Sequence, residues 1–151
     1  MYFKTTKSPL GPITVFAEAD YIIALEFGSV PENKSSPLLE DAVLQLASYF
    51  KGDHKHFSIP IGATGTNFQK TVWSFLIEIP YGSTLSYGDI AHDLGSSPRA
   101  IGGACGKNPI SIIIPCHRVL AANLKIGGYS SEGGILTKAA LLRIEGITLK
   151  T

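Results

Sequence analysis

Apolar and polar positions change their spacing along the chain, and the changes mark the elements. Residues 2–6, 13–17 and 21–27 are rich in β-branched and aromatic side chains, which predicts three strands. Ser8-Pro9-Leu10-Gly11-Pro12 and Glu18-Ala19-Asp20 separate them and read as hairpin turns. After a polar loop over 28–36, Leu39, Ala42, Val43, Leu46, Ala47 and Phe50 recur at helical spacing. Lys51-Gly52 then supplies a glycine at the expected helix end. Mixed Gly, Pro and Thr follow up to residue 66. This pattern predicts an N-terminal α/β domain over 1–55, a connector over 56–66 and a C-terminal domain over 67–151.

The second half is mostly helical. Phe68, Val72, Phe75, Leu76 and Ile79 form one apolar face that Pro80-Tyr81-Gly82 ends. Ser86 can cap a short helix running to Leu94. Gly95-Ser96-Ser97 makes a turn, and Ser97-Pro98 places a capping serine before a proline, opening a helix over 98–107. Helix, short turn, helix is the layout of a helix-turn-helix. The second helix holds Ala100, Gly102, Gly103, Ala104 and Gly106. Such small residues allow close approach to a ligand or equally close packing on another helix. Asn108-Pro109 ends that helix, and the β-branched run from Ile110 leads to Cys116. A glycine-rich loop spans 127–134, and a last helix is expected over 135–145 with Ile135, Ala139, Leu141 and Leu142 buried. The fold class is α+β.

Composition narrows the function. Of 151 residues, 44% are hydrophobic and 17% charged, which suits a chain that folds around a core rather than a disordered one. No apolar run approaches the roughly 20 residues of a membrane helix. The opening Met1-Tyr2-Phe3-Lys4 has no apolar signal region, so a cytoplasmic protein without a membrane partner is expected. Two cysteines, Cys105 and Cys116, cannot build a disulfide framework or a cysteine-rich zinc site. His54 and His56 have no nearby ligands to complete a metal shell, so no metal is expected. Net charge is only +1, but residues 1–67 carry 5 Lys/Arg against 7 Asp/Glu, whereas residues 68–128 carry 5 against 3. Any affinity for nucleic acid resides in the second half and is salt-sensitive.

The candidate chemistry centres on Cys116, between Pro115 and His117. A free thiol titrates near 8.5, so it needs a base or a nearby cation to react as thiolate. His117 is adjacent, and adjacent side chains often diverge, so a bridging water would carry the proton. Glu145, where the last helix meets Gly146, can orient His117 as the third member of a triad does. A cysteine in an apolar run is also an ordinary core residue, and His117-Arg118 also reads as surface charge. Cysteine–histidine spacing alone leaves both readings open.

The whole string Pro115-Cys116-His117-Arg118-Val119, preceded by Asn108-Pro109-Ile110, resembles the active-site signature of the O6-alkylguanine-DNA alkyltransferases. The resemblance extends upstream through Thr66-Asn67-Phe68-Gln69, Ile79-Pro80-Tyr81-Gly82, Ser86-Tyr87-Gly88-Asp89 and Arg99-Ala100-Ile101-Gly102-Gly103-Ala104. Downstream it includes Gly127-Gly128-Tyr129-Ser130, Lys138 and Leu141-Leu142-Arg143-Ile144-Glu145-Gly146. It covers about residues 66–146 in order; the first 60 residues resemble the family in layout, a ribonuclease-H-like sheet plus helix before a winged-helix-like C-terminal domain.

The resemblance implies a single-use DNA-repair protein, with no cofactor, that flips O6-alkylguanine (and O4-alkylthymine) out of a duplex and moves the alkyl group to Cys116. The implied partner is double-stranded DNA held through its minor groove by a monomer, with cooperativity along DNA left open. Cys116 is the implied acceptor, His117 the water-mediated base and Glu145 the carboxylate behind it. Asn108 holds the turn before the active-site strand. Tyr87 helps expel the nucleotide and hydrogen-bonds guanine N3, while Arg99 fills the space left in the stack. Ser86, Ala100, Gly103, Ala104 and Lys107 lie on the implied DNA face. The backbone at Cys116 and Val119 reads the exocyclic amine, Tyr129 and Ser130 close over the base, and Lys138 lies near the pocket.

Some positions depart from the family pattern. The turn at 95–99 is short, as in compact archaeal-type members, and the loop over 129–138 is about two residues longer than usual. Ser111 replaces a proline that walls the alkyl pocket in some members. Without an N-terminal cysteine, the structural zinc site of some members cannot form. Cys105 is expected as a small packing residue. Three other functions compete. Non-enzymatic relatives that bind alkylated bases lack the acceptor cysteine that this chain has. A plain helix-turn-helix regulator would carry more base-reading side chains. A cysteine hydrolase would need an oxyanion hole.

Overall fold

The computed structural model describes residues 1–53, 55–122, 125–126 and 134–148. It divides into two compact units: residues 1–64 with 109–111, and residues 65–108 with 112–151.

In the first unit the three strands form as their β-branched and aromatic content predicts: β1 (Tyr2–Thr6), β2 (Ile13–Glu18) and β3 (Tyr21–Phe27). They pair antiparallel in the order β1-β2-β3, with Lys4 opposite Val15 and Val15 opposite Leu25. Ile13, Val15, Ala17, Ile22 and Leu25 are buried, so one face of the sheet belongs to a core, as period-2 patterning requires. Helix α1 (Pro37–Phe50) packs on the sheet. Ser36 caps it by accepting from the Leu39 amide, and a proline occupies its first turn. Its buried stripe is Leu39, Ala42, Leu46 and Tyr49. Ala47, expected on that face, is exposed, and Tyr49 takes the place.

The stretch expected as a connector partly joins the sheet. The Ile22 amide donates to the Pro60 carbonyl at 2.9 Å, and the Gly62 amide donates to the Ile22 carbonyl at 2.8 Å. Residues 109–111 also fall in this unit, where the Leu25 amide donates to the Pro109 carbonyl at 3.0 Å.

The second unit holds α2 (Asn67–Ile77), α3 (Tyr87–Leu94), α4 (Pro98–Gly106) and α5 (Gly134–Ile144). A small parallel pair, β4 (Leu85–Ser86) and β5 (Val119–Leu120), accompanies them. Thr66 and Ser86 each complete a capping box, at the starts of α2 and α3. Gly95 ends α3 at φ +63°, a left-handed conformation that costs glycine little. Ser97 then caps α4 through the Ala100 amide. These local signals produce the helix-turn-helix, in which α3 packs against α4.

The apolar faces of α2 and α5 differ from expectation. Phe68 is 41% exposed, while Trp73 is buried and its indole N–H donates to the Ala104 carbonyl at 2.9 Å. The buried face of α2 is thus rotated toward Trp73, because a buried indole needs an acceptor and α4 offers one. A Cβ on Gly65 would lie 2.5 Å from the Trp73 ring, so only glycine fits beside it. In α5, Ile135 is exposed and Ala139 half-buried, whereas Leu141, Leu142 and Lys138 are buried. Among the described residues, no helix is long and apolar enough to cross a membrane.

Candidate active site

Cys116 opens a single 3-10 turn, Cys116–Arg118, that leads into β5. The approach to it is constrained. Ile112 is fully buried at φ +73°, a conformation β-branched residues seldom adopt. The amide of Asn108 then bridges the loop: Nδ2 donates to the Ile114 carbonyl at 2.8 Å and to Cys116 Sγ at 3.2 Å. Asn108 therefore holds both the turn and the sulfur. A donor aimed at sulfur favours the thiolate, because the anion is the stronger acceptor.

Behind the thiol lies a buried polar cluster. His117 Nε2 and Glu145 Oε2 are 2.5 Å apart, and neither side chain is exposed to solvent. Arg118 Nε donates to Glu145 Oε1 at 2.8 Å and Nη2 to Oε2 at 3.1 Å, a two-pronged grip on the carboxylate. The third nitrogen of the guanidinium, Nη1, donates to the Ile79 carbonyl at 2.7 Å. The Gly82 amide adds a fourth hydrogen bond to Glu145 at 3.2 Å, and the Tyr81 hydroxyl donates to the Ile144 carbonyl at 3.0 Å. Burial lowers the affinity of His117 for a proton below that of an ordinary histidine, although Glu145 pulls the other way.

A second group faces the sulfur from α3 to α5. Lys138 is fully buried and its Nζ lies 3.5 Å from the Tyr87 hydroxyl. Burial brings the Lys138 pKa down to about 8, with the charges of Cys116 and Cys105 opposing the shift. Burial pushes the Tyr87 hydroxyl up to about 12, so it stays protonated and able to donate. A cavity of about 770 Å³ opens over Cys116, lined by Ser86, Tyr87, Arg99, Gly102, Cys105 and Ala121 among others. It is wide enough for a nucleobase-sized ligand.

The structure thus brings Cys116, Asn108, Tyr87 and Arg99 to one cavity region and joins His117 to Glu145. On α4, Arg99 and Gly103 are exposed and Ala100 is half-buried, and Lys107, just past its end, is exposed. Ala104 is buried, and its carbonyl accepts from the Trp73 indole N–H. Ser86 Oγ is engaged in capping α3. Val119 is buried, and its amide donates to the Cys116 carbonyl. Tyr129 and Ser130, with the first half of the lengthened loop (129–133), lie outside the described residues, as does His54.

Arg118 is the residue that sequence reasoning missed. Far from being surface charge, it is 6% exposed. The signal was present: the arginine stands between the apolar run that begins at Ile110 and Val119-Leu120, where a charge needs a buried partner. Cys105 packs as expected at 8% exposure, but it also lines the cavity.

Residues 1–63 match the family model described as 6-O-methylguanine DNA methyltransferase, ribonuclease-like domain, and residues 67–147 match its DNA binding domain. The chain belongs to the 6-O-methylguanine DNA methyltransferase family. A methylated-DNA–protein-cysteine methyltransferase of Methanosarcina acetivorans is 40% identical over 97% of this chain and 99% of its own length. The constitutive methyltransferase of Bacillus subtilis is also 40% identical, over 99% and 98% respectively. A crystal structure of Mycobacterium tuberculosis OGT in complex with DNA superposes with a TM-score of 0.86 at 40% identity, covering 97% of this chain and 93% of that one. The α+β layout predicted from the sequence is the one this methyltransferase family shares.

Proposed function

We propose that this methyltransferase repairs DNA by moving the alkyl group of O6-alkylguanine onto Cys116, once per molecule. The observation that carries the reading is the placement of the Cys116 sulfur on a nucleobase-sized cavity, held by Asn108 and backed by the His117–Glu145 pair. The bond from Sγ to the alkyl carbon forms as the bond from that carbon to guanine O6 breaks. The thiol proton leaves toward His117 through a water, and guanine takes up a proton as it departs. The protonated Tyr87 hydroxyl stands at the cavity as a donor to the leaving base. The product is a thioether, which has no easy reverse reaction, so the protein is consumed.

Binding follows from α4. Its exposed Gly103 offers no side chain to hold a groove floor away, and Arg99 and Lys107 are exposed for phosphate or base-stack contacts. Docking through the minor groove by a monomer, with the target base turned into the cavity, fits this arrangement. Two free thiols suit a reducing compartment, in keeping with a cytoplasmic site of action.

The test is direct. Incubation with duplex DNA containing O6-methylguanine should add one methyl group to the peptide bearing Cys116 and leave unmodified guanine in the DNA. The Cys116→Ala variant should add none. An unmodified wild-type peptide with the lesion still in the duplex would sink the proposal.

A further inference from the structure

The buried cluster contains more charge than a thiol–histidine–carboxylate relay needs. Glu145 receives four hydrogen bonds, two of them from the Arg118 guanidinium. One fixed cation therefore already balances the one carboxylate. We propose that Arg118 is a positioning residue for alkyl transfer: by balancing Glu145 in a two-pronged grip, it leaves His117 neutral and able to take the proton of Cys116. The inference rests on the alkyl-transfer reading.

The charge count carries it. A carboxylate with no solvent exposure must be neutralised by a proton or by a cation close by. Among the described residues, the cationic groups paired with Glu145 are Arg118 and, once protonated, His117. Arginine is always protonated, so with Arg118 in place a proton on His117 would leave the trio with a net positive charge in the interior. Lys138 on α5 adds a further buried cation that opposes it. With Arg118 removed, Glu145 would have His117 alone, and a proton shared by that pair would become the favoured state. The base would then be occupied before the thiol could use it. The direction expected for His117 agrees, since burial, Arg118 and Lys138 all disfavour its charged form against the pull of Glu145.

The geometry also fixes which nitrogen works. In neutral His117, Nε2–H donates to Glu145, which leaves the lone pair on Nδ1 as the base. The Arg118 guanidinium is itself anchored, donating to the Ile79 carbonyl and lying 5.9 Å from the centre of the Tyr81 ring, so the carboxylate it grips, and through it the ring of His117, is held in orientation. Lysine could supply the charge but not the fork.

The experiment is the pH dependence of single-turnover methyl transfer to Cys116 from O6-methylguanine duplex, measured by mass, with thermal unfolding recorded beside it. Wild type should hold its rate as pH falls through 6.5. Arg118→Gln should move the acid limb upward by a unit or more, so that its rate near pH 6 drops about tenfold beyond any uniform loss and recovers toward pH 9. Arg118→Lys should restore the acid limb while unfolding at lower temperature. A uniform loss with an unmoved limb in Arg118→Gln would show a merely structural role and overturn the inference. Should the variants fail to fold, the wild type still decides: nitrogen shifts of His117 should show a neutral ring protonated at Nε2 at pH 7, and a doubly protonated ring would overturn it. No transfer by wild type at any pH removes the reaction and the inference together; transfer with an unmoved limb removes the inference alone.

Discussion

The two units of the chain bury different kinds of side chain. Among the described residues, the first unit buries only hydroxyls besides its apolar core, those of Thr14, Tyr49 and Ser111. Thr14 has partners for its oxygen in Thr5 at 2.9 Å and the Gly28 carbonyl at 2.9 Å. The second unit buries His117, Arg118, Lys138 and Glu145. Buried charges rarely improve stability over apolar residues of similar volume. One unit is therefore organised as a conventional core, and the other keeps costly groups that the proposed reaction would use.

That contrast can be broken by mutation. The largest effect should come from Glu145→Gln, which leaves Arg118 as a buried cation without its anion. It should cost about 3–5 kcal/mol in urea unfolding and slow transfer to Cys116 as well. A stable and fully active variant would show that the cluster is dispensable. Leu46→Ala in the first unit should cost a comparable roughly 2–5 kcal/mol. Its transfer rate, measured where the protein remains folded, should stay within about twofold of wild type. A large loss of rate there would erase the distinction between the units.

Arg99→Ala should leave stability within about 0.5 kcal/mol, since the side chain is exposed. It should slow transfer from duplex more than transfer from a free O6-alkylated guanine base; equal slowing of both would remove any role in extruding the base. The smallest effect concerns Cys105, whose thiol is pushed by burial up to about 12 from an ordinary 9.0. Above pH 9 the unfolded chain releases this proton and the folded chain does not, so stability present below pH 9 is lost as pH rises toward 12. Cys105→Ala should lose stability less steeply over that window in unfolding curves. An unchanged slope would mean that the thiol titrates normally.

The sequence made local features legible. Ser86 and Ser97 cap the helices they precede, and Gly95 turns the chain between α3 and α4, because these effects act within three or four residues. Cys116, His117 and Glu145 were legible as candidates through the motif around them. The burial of Arg118 was not, because its partner lies 27 positions away and no periodicity reports such a pairing. Trp73 was passed over for Phe68 for the same kind of reason: the acceptor that draws its indole inward is on another helix, 31 positions along the chain.

Ile112 carries a wider consequence. A fully buried, β-branched residue held at positive φ is stiff: its backbone has few other conformations to visit and its side chain has nowhere to go. Four residues later comes the sulfur. Most enzymes must compromise on such stiffness, since a site that grips also has to open and let its product leave. A protein that keeps the alkyl group for good has no release step to protect. Its aim can be set once, when the chain folds, and rigidity in the strap that carries the nucleophile has no turnover to slow.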